Sequence, residues 1–327
     1  MKRFLSILLS VAMVMSMMPM AFAESVTDNG SVVAEKVFSE EVETVNEPVQ
    51  KMAKEQDISS LAATIENTVD KTSAAVKVDG INNDWLDYYF ANLSDAVDAI
   101  NKYPSKSNTA RIFILKASME LSETLNIGND SVNVQVQIFA NVESTVKRAD
   151  GFTGAFFNVA KGSTLTFGNK SQNNSCKNLT LDGNKAKVTA SAPLIVSEGT
   201  LVFNRDITLQ NNKNQNSYSF GGAIYIDDSG SFEMKDGIIQ NNECAPTYLG
   251  GGGAIASDGG DIKISGGSII ENKITAVSGA EEDVCAGDSI CFGGKNLTIT
   301  GGTIQSSSSS KKDIFLQSTT DTDFDKE

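Results

Sequence analysis

Arg205-Asp206 and Asp227-Asp228 are the residues of this chain best suited to chemistry. An acidic cluster with a nearby basic residue could be built into a lyase or a paired-carboxylate hydrolase. Arg205-Asp206 lies between two apolar segments, and Asp227-Asp228 follows about one repeat later at a turn. The plainer reading, a solvated turn with a surface ion pair, is preferred, because no lyase or hydrolase signature surrounds these residues. The chain has no histidine. That removes Ser-His-Asp and Cys-His catalysis. Hard oxygen ligands occur at Asp182-Gly183-Asn184 and Asp258-Gly259-Gly260-Asp261, where calcium is conceivable. Neither is an EF-hand loop or a nonapeptide calcium repeat. Turn chemistry accounts for both, so no cofactor is expected.

Four cysteines remain: Cys176, Cys244, Cys285 and Cys291. They allow three pairings, among which sequence does not choose. Cys244 and Cys285 would be neighbours if successive repeats stack; buried thiols account for them equally well. No CxxC or histidine accompanies them, so zinc is not expected.

The elements that would position such residues begin after an export signal. Lys2 and Arg3 precede an apolar run from Phe4 to Met18, and Ala21-Phe22-Ala23 is a small-x-small cleavage site. Residues 1–23 read as a signal peptide, with an uncleaved anchor as the lesser alternative. No other stretch is apolar enough to cross a bilayer, so no membrane span is expected after cleavage, and the location is extracellular. The net charge of −14 offers no basic patch to displace counterions from nucleic acid. Residues 24–75 are polar and acidic and read as a flexible spacer.

Residues 76–109 hold a capping helix. Leu93, Ala96, Val97 and Ile100 share one face, with Asp95 at the start and Tyr103-Pro104 at the end. Trp85, Tyr88 and Tyr89 read as packing of this cap, ahead of the alternative of a sugar-stacking cluster.

From 110 to 327 one phrase recurs: Gly-x-apolar-x-apolar, then Gly-x-apolar-apolar-x-Asn. Gly230-Ser231-Phe232-Glu233-Met234 precedes Gly237-Ile238-Ile239-Gln240-Asn241-Asn242. Gly260-Asp261-Ile262-Lys263-Ile264 precedes Gly267-Ser268-Ile269-Ile270-Glu271-Asn272. Phe232 to Ile262 and Ile239 to Ile269 are each 30 residues. A third strand accompanies each pair, as at Ala223 to Ile226. Three short strands per repeat are stable only when stacked on their equivalents. The expected fold is all-β: a single-stranded right-handed parallel β-helix, three strands per coil, with an N-terminal capping α-helix. Asn184, Asn212, Asn242 and Asn272 are expected at one corner, in left-handed backbone and in a hydrogen-bonded ladder.

Phe220-Gly221-Gly222-Ala223-Ile224-Tyr225-Ile226 and Gly252-Gly253-Ala254-Ile255-Ala256 resemble the Gly-Gly-Ala-Ile repeats of bacterial surface proteins related to polymorphic outer-membrane adhesins. The spacing resembles the wider pectin-lyase-like superfamily of right-handed parallel β-helices. The companion Phe-x-x-Asn tetrad is not evident. The resemblance implies fold and surface location. It also implies what an enzyme of this kind would need: a histidine beside the catalytic aspartates of a polygalacturonase, or an Arg or Lys base beside calcium-holding aspartates in a lyase. The expected function is therefore non-enzymatic: adhesion, or binding of a glycan or surface protein through corner loops carrying Tyr218 and Tyr248. The alternative is a polysaccharide lyase or glycoside hydrolase.

Overall fold

A computed structural model describes residues 65–170, 176–275, 286–307 and 313–316; all belong to one compact unit, Ile65–Glu327. The signal peptide, most of the spacer and Cys285 lie outside the described residues. Among the described residues the fold is all-β apart from one α-helix and a short 3-10 turn.

Strands too short to fold alone find their partners one repeat away. The chain visits three parallel sheets in rotation. Thr200–Phe203 lies in the first, Ile207–Gln210 in the second and Ile224–Ile226 in the third. The next circuit adds Ser231–Met234, Ile238–Gln240 and Ile255–Ser257 to the same sheets in the same order. Phe232 pairs with Ile262 and Ile239 with Ile269, the 30-residue register expected from the phrase. Parallel pairing with the circuits on either side satisfies the backbone donors and acceptors of each strand.

Alternation within each strand sends one apolar column inward. Phe157, Phe167, Phe203 and Phe232 stack through this core with ring centroids 5.7, 5.5 and 5.0 Å apart, each ring nearly perpendicular to the next. Edge-to-face contact adds to the burial energy of each ring.

The asparagines at the bend after the second sheet divide two jobs between neighbours. Asn184 has positive φ, as expected. In the following circuits the left-handed residue is instead Asn211, Asn241 or Glu271, one position earlier than expected. Asn212, Asn242 and Asn272 are wholly buried and form the ladder. The Asn212 amide N–H donates to Asn242 Oδ1 at 3.0 Å, and the Asn242 N–H donates to Asn272 Oδ1 at 2.9 Å. Each Nδ2 of Asn242 and Asn272 also donates to carbonyls of its own and the preceding circuit. The physical reason is competition for the side chain. An outward left-handed residue needs only a tolerant backbone, whereas an inward one must satisfy buried polar groups.

The N-terminal end differs from expectation in one respect. The helix α1 (Leu93–Lys102) forms, with Asn92 Oδ1 accepting from the Asp95 N–H at 2.8 Å and Leu93, Ala96, Val97 and Ile100 buried. The first strand edge, however, is met by an antiparallel strand, Val76–Asp79, which itself pairs with Tyr88–Phe90. Ile65–Ala75, grouped by composition with the spacer, fold onto this pair through Thr68 and Phe90 and bury Ile65, Ala74 and Ala75.

Replacing Asn242 with Ala leaves the buried Asn212 N–H and two carbonyls without their partner. Chemical denaturation should show a loss of about 1–3 kcal/mol. Lys187→Ala, which removes only an exposed pair with Asp150, should change stability by less than about 0.5 kcal/mol. Equal effects would mean that the ladder is not what holds this bend.

Candidate functional site

The structure distributes the sequence candidates over different corners. Arg205-Asp206 turns the chain from the first sheet to the second, between Phe203 and Ile207. Asp206 takes left-handed backbone, and Arg205 Nε lies 3.2 Å from Asp206 Oδ2. Asp227-Asp228 turns the chain from the third sheet back to the first, between Ile226 and Ser231. The two pairs therefore do not meet. Asp227 and Asp228 instead gather with Asp258, one circuit on, whose N–H donates to Ile226 O. Burial first, then Asp228 and Asp227, raises the Asp258 carboxyl above the usual range. Burial likewise raises the Tyr225 phenol, assisted by Asp227, Asp258 and Asp228. The three carboxyls form a cluster of like charge.

In each calcium candidate one carboxylate accepts from protein donors. Asp182 Oδ2 accepts from Gln210 Nε2 at 2.9 Å and Asn211 Nδ2 at 2.8 Å, and Asp182 Oδ1 accepts from the Asn184 N–H. Asp261 Oδ1 accepts from the Asn296 N–H and Nδ2. No group of three or more His, Cys, Asp or Glu side chains capable of holding a metal occurs among the described residues. Cys244 is buried and its Sγ donates to Ser219 O at 3.0 Å; its proposed partner Cys285 is not described.

The aromatic residues near the cap separate. Tyr88 is buried, and its hydroxyl donates to Asp84, with its phenol pushed up to about 12 by burial and by Asp84. Tyr89 is half-buried. Trp85 is 55% exposed, so it does not pack into the cap as expected. It faces the Arg111 guanidinium at 4.8 Å, and Arg111 in turn forms a bidentate pair with Asp79 at 2.7 Å. A groove of about 410 Å³ near the start of α1 is lined by Asn92, Ser94, Lys116, Glu120 and Glu123.

The most distinctive surface is a corner lobe between the second and third sheets. Here the chain leaves the circuit to form small extra strands. Lys213–Asn214 pairs with Glu243–Cys244, and Tyr218–Phe220 pairs with Leu249–Gly251. From sequence alone, Tyr218 and Tyr248 sit on corner loops; in the structure Tyr218 opens one of these strands and Tyr248 directly precedes the other. The Gly-Gly signature makes the return to the core possible. Gly221 and Gly252 are left-handed, and a Cβ on Gly222 or Gly253 would strike the carbonyl of Gly253 or Asp288 in the next circuit.

The lobe is internally braced. Asn214 Nδ2 donates to Phe220 O and Gly221 O, Asn216 Nδ2 donates to Ser191 O, and the Tyr248 N–H donates to Ser217 O. Along one side, Lys213 and Lys273 flank the mostly buried Glu243 at 3.4 Å each. Lys185 Nζ reaches Asn241 O and Oδ1 at 2.6 and 2.7 Å, and burial pulls its ammonium below the usual range. Tyr218 and Tyr248 stand out from the lobe, 60% and 47% exposed, with ring centroids 5.5 Å apart at 73°.

No protein-family model, curated protein or solved structure matches the chain, so what the site can do rests on its own geometry.

Asp258 provides a check on the acidic corner. A carboxyl whose folded value is raised opposes folding once ionised. That cost is absent below its unfolded value and complete above its folded value. Asp258→Asn should therefore raise the melting temperature slightly at neutral pH, by under about 0.5 kcal/mol for so exposed a group, and leave it unchanged near pH 3. A loss at neutral pH would show that Asp258 is instead held by a favourable partner.

Proposed function

We propose that this chain is an exported, non-enzymatic surface or extracellular protein that binds a glycan polymer through the corner lobe. Its fold would be a right-handed parallel β-helix of three strands per coil, with α1 and the antiparallel strands as its N-terminal cap. The observation that carries the reading is the exposed Tyr218–Tyr248 pair on a braced lobe. Aromatic faces held in fixed positions present apolar area to a sugar ring at little entropic cost, and the surrounding Asn, Ser, Thr and Lys groups suit its hydroxyls. A protein partner is the other ligand class such loops would serve. The residues before 24 would be removed on export. No described helix is long and apolar enough to cross a membrane.

The lyase or hydrolase alternative draws no support from the corners: Arg205 is held by Asp206, away from the Asp227, Asp228 and Asp258 group.

A glycan array with the mature protein, alongside a Tyr218→Ala/Tyr248→Ala variant, tests the proposal. Binding should fall about tenfold or more in the variant, the loss of ~1.4 kcal/mol expected for removing aromatic anchors. Binding that is undiminished would remove the lobe from the reading. Incubation with pectins and other acidic glycans, with and without calcium, tests the alternative. Ultraviolet-absorbing unsaturated product, lost in Arg205→Ala, would make the chain an enzyme.

A further inference from the structure

The segment around Trp85 is fixed at many points, yet its indole is left in water. Ile81 and Tyr88 anchor it on either side, both buried. Asn82 and Asn83 take left-handed backbone in succession, with φ of 50° and 63°, a conformation asparagine tolerates better than most residues. Asn83 Oδ1 accepts from the hydroxyls of Ser105 and Ser107 and from the N–H groups of Lys106 and Ser107. Asp84 Oδ1 accepts from the Leu86 N–H at 3.0 Å, and Asp84 Oδ2 accepts from the Tyr88 hydroxyl at 3.2 Å. The ring is held as well as the chain. The Arg111 guanidinium lies 4.8 Å from it and is itself pinned by two bonds to Asp79, whose side chain is 4% exposed. A cation over an aromatic face attracts the ring and limits its rotation.

A lone exposed aromatic is common on protein surfaces and means little by itself. A braced one is different, because the entropy of holding it still has been lost before any ligand arrives. Its surroundings say which ligand. Trp85 is the only exposed large hydrophobic residue among residues 65–141. The core of a protein interface is a cluster of apolar side chains within about 800 Å² per partner, which one ring does not supply. A single aromatic face bordered by polar groups suits one sugar ring, apolar on its C–H face and polar at its rim. Asn82 and Asp87 are exposed on either side of Trp85 in the chain. Arg111 and Lys77 are each met by a carboxylate, Asp79 and Asp87, so neither is spare to hold an acidic sugar.

We propose that Trp85 is a second carbohydrate contact of this chain: one uncharged sugar ring stacks on the indole face that Arg111 leaves free, with Asn82 and Asp87 placed to hydrogen-bond its hydroxyls. The ligand class is that of the proposed function, and to that extent the inference rests on that reading. The site is separate. Arg111 belongs to the first sheet, whereas the corner lobe lies between the second and third. A polymer could be held at both.

Trp85 is the only tryptophan of the chain, so its fluorescence reports on this site alone. In the free mature protein the emission should be that of an indole in water, quenched by acrylamide. Titration with cello-, chito-, xylo- and manno-oligosaccharides should change the emission for at least one of these sugars, with oligogalacturonate as the charged control. The change should persist in Tyr218→Ala/Tyr248→Ala. By calorimetry, Trp85→Ala should weaken binding of the same sugar about tenfold or more, as for a central aromatic anchor, with far-UV circular dichroism unchanged. Trp85→Phe, with a smaller ring in place, should fall between the two, and it serves alone should the alanine variant lose its spectrum. A shielded indole in the free protein would overturn the proposal, since another part of the chain would then cover the ring. So would emission indifferent to every sugar, a response to oligogalacturonate alone, or binding undiminished in both Trp85 variants. The two sites fail separately. Array binding that ignores the tyrosines, with the Trp85 response retained, removes the lobe and supports the platform; array binding that needs the tyrosines, with Trp85 silent, removes the platform.

Discussion

Register between successive circuits is the constraint from which the rest of this structure follows. Strands of two to seven residues cannot satisfy their own backbone groups or bury enough surface to stand alone. Each is stable only because its equivalent one repeat away lies directly alongside. A shift of one residue would exchange inward and outward side chains along a whole strand. Thr200–Phe203 against Ser231–Met234 illustrates the consequence. Leu201 and Phe203 must meet Phe232 and Met234, while Thr200 and Val202 meet Ser231 and Glu233 on the outer face. The repeat period is thus the sequence image of a hydrogen-bonding requirement.

The buried polar groups reinforce this register where apolar packing alone would allow slippage. Arg148 is the largest fully buried side chain. Its guanidinium donates to the carbonyls of Phe152 and Gly154 and, at 3.1 Å, to Asn212 Oδ1, where the asparagine ladder begins. The rings of Phe152 and Phe156 lie 5.2 and 4.9 Å from it. Burial brings its value down to about 10, still well above neutrality, so the group remains a cation. A buried charge held by carbonyls and aromatic faces is a costly device for stability. It does, however, admit few arrangements. The residues 149–156 that follow the strand Ser144–Arg148 are tied to a bend two circuits away. The asparagines then carry the connection onward, one circuit at a time, to Asn272.

Those features mark what could be read from the residues and what could not. The strands, their three-fold rotation and the partners Phe232–Ile262 and Ile239–Ile269 were legible because alternation and period are direct records of pairing. The helix was legible from the spacing of Leu93, Ala96, Val97 and Ile100. The division of labour within Asn211-Asn212 and Asn241-Asn242 was not. Both members are asparagine, and either could tolerate left-handed backbone. Only the fate of the Asn212 N–H, buried beneath the next circuit, decides which one turns inward. Val76–Asp79 was hidden because four residues carry too little alternation to distinguish a strand from a spacer. Arg205 and Asp227 looked close on the repeat scale, but a three-sided path places them at different corners. Linear distance within a repeat does not say which side of the fold a turn occupies. Arg148 gave no signal at all, since nothing in its neighbours announces a buried cation.

The same constraint explains why chemistry on this fold belongs at the corners. Strand positions are fixed by the circuits on either side, so a residue altered there disturbs two registers. A corner need only return the chain to its next strand. Between the second and third sheets the chain uses that freedom twice in succession, at Lys213–Phe220 and Glu243–Gly251, and then pairs the two excursions with each other. Pairing turns what would be a loose excursion into a small braced surface. Tyr218 pairs with Leu249 and not with Tyr248, so the two rings sit one register step apart, with centroids 5.5 Å apart. In the core, Phe167 and Phe203 are register partners and are sealed from water. At the lobe the rings are exposed to water, and the glycines that return the chain to the third sheet keep the pair outside the core.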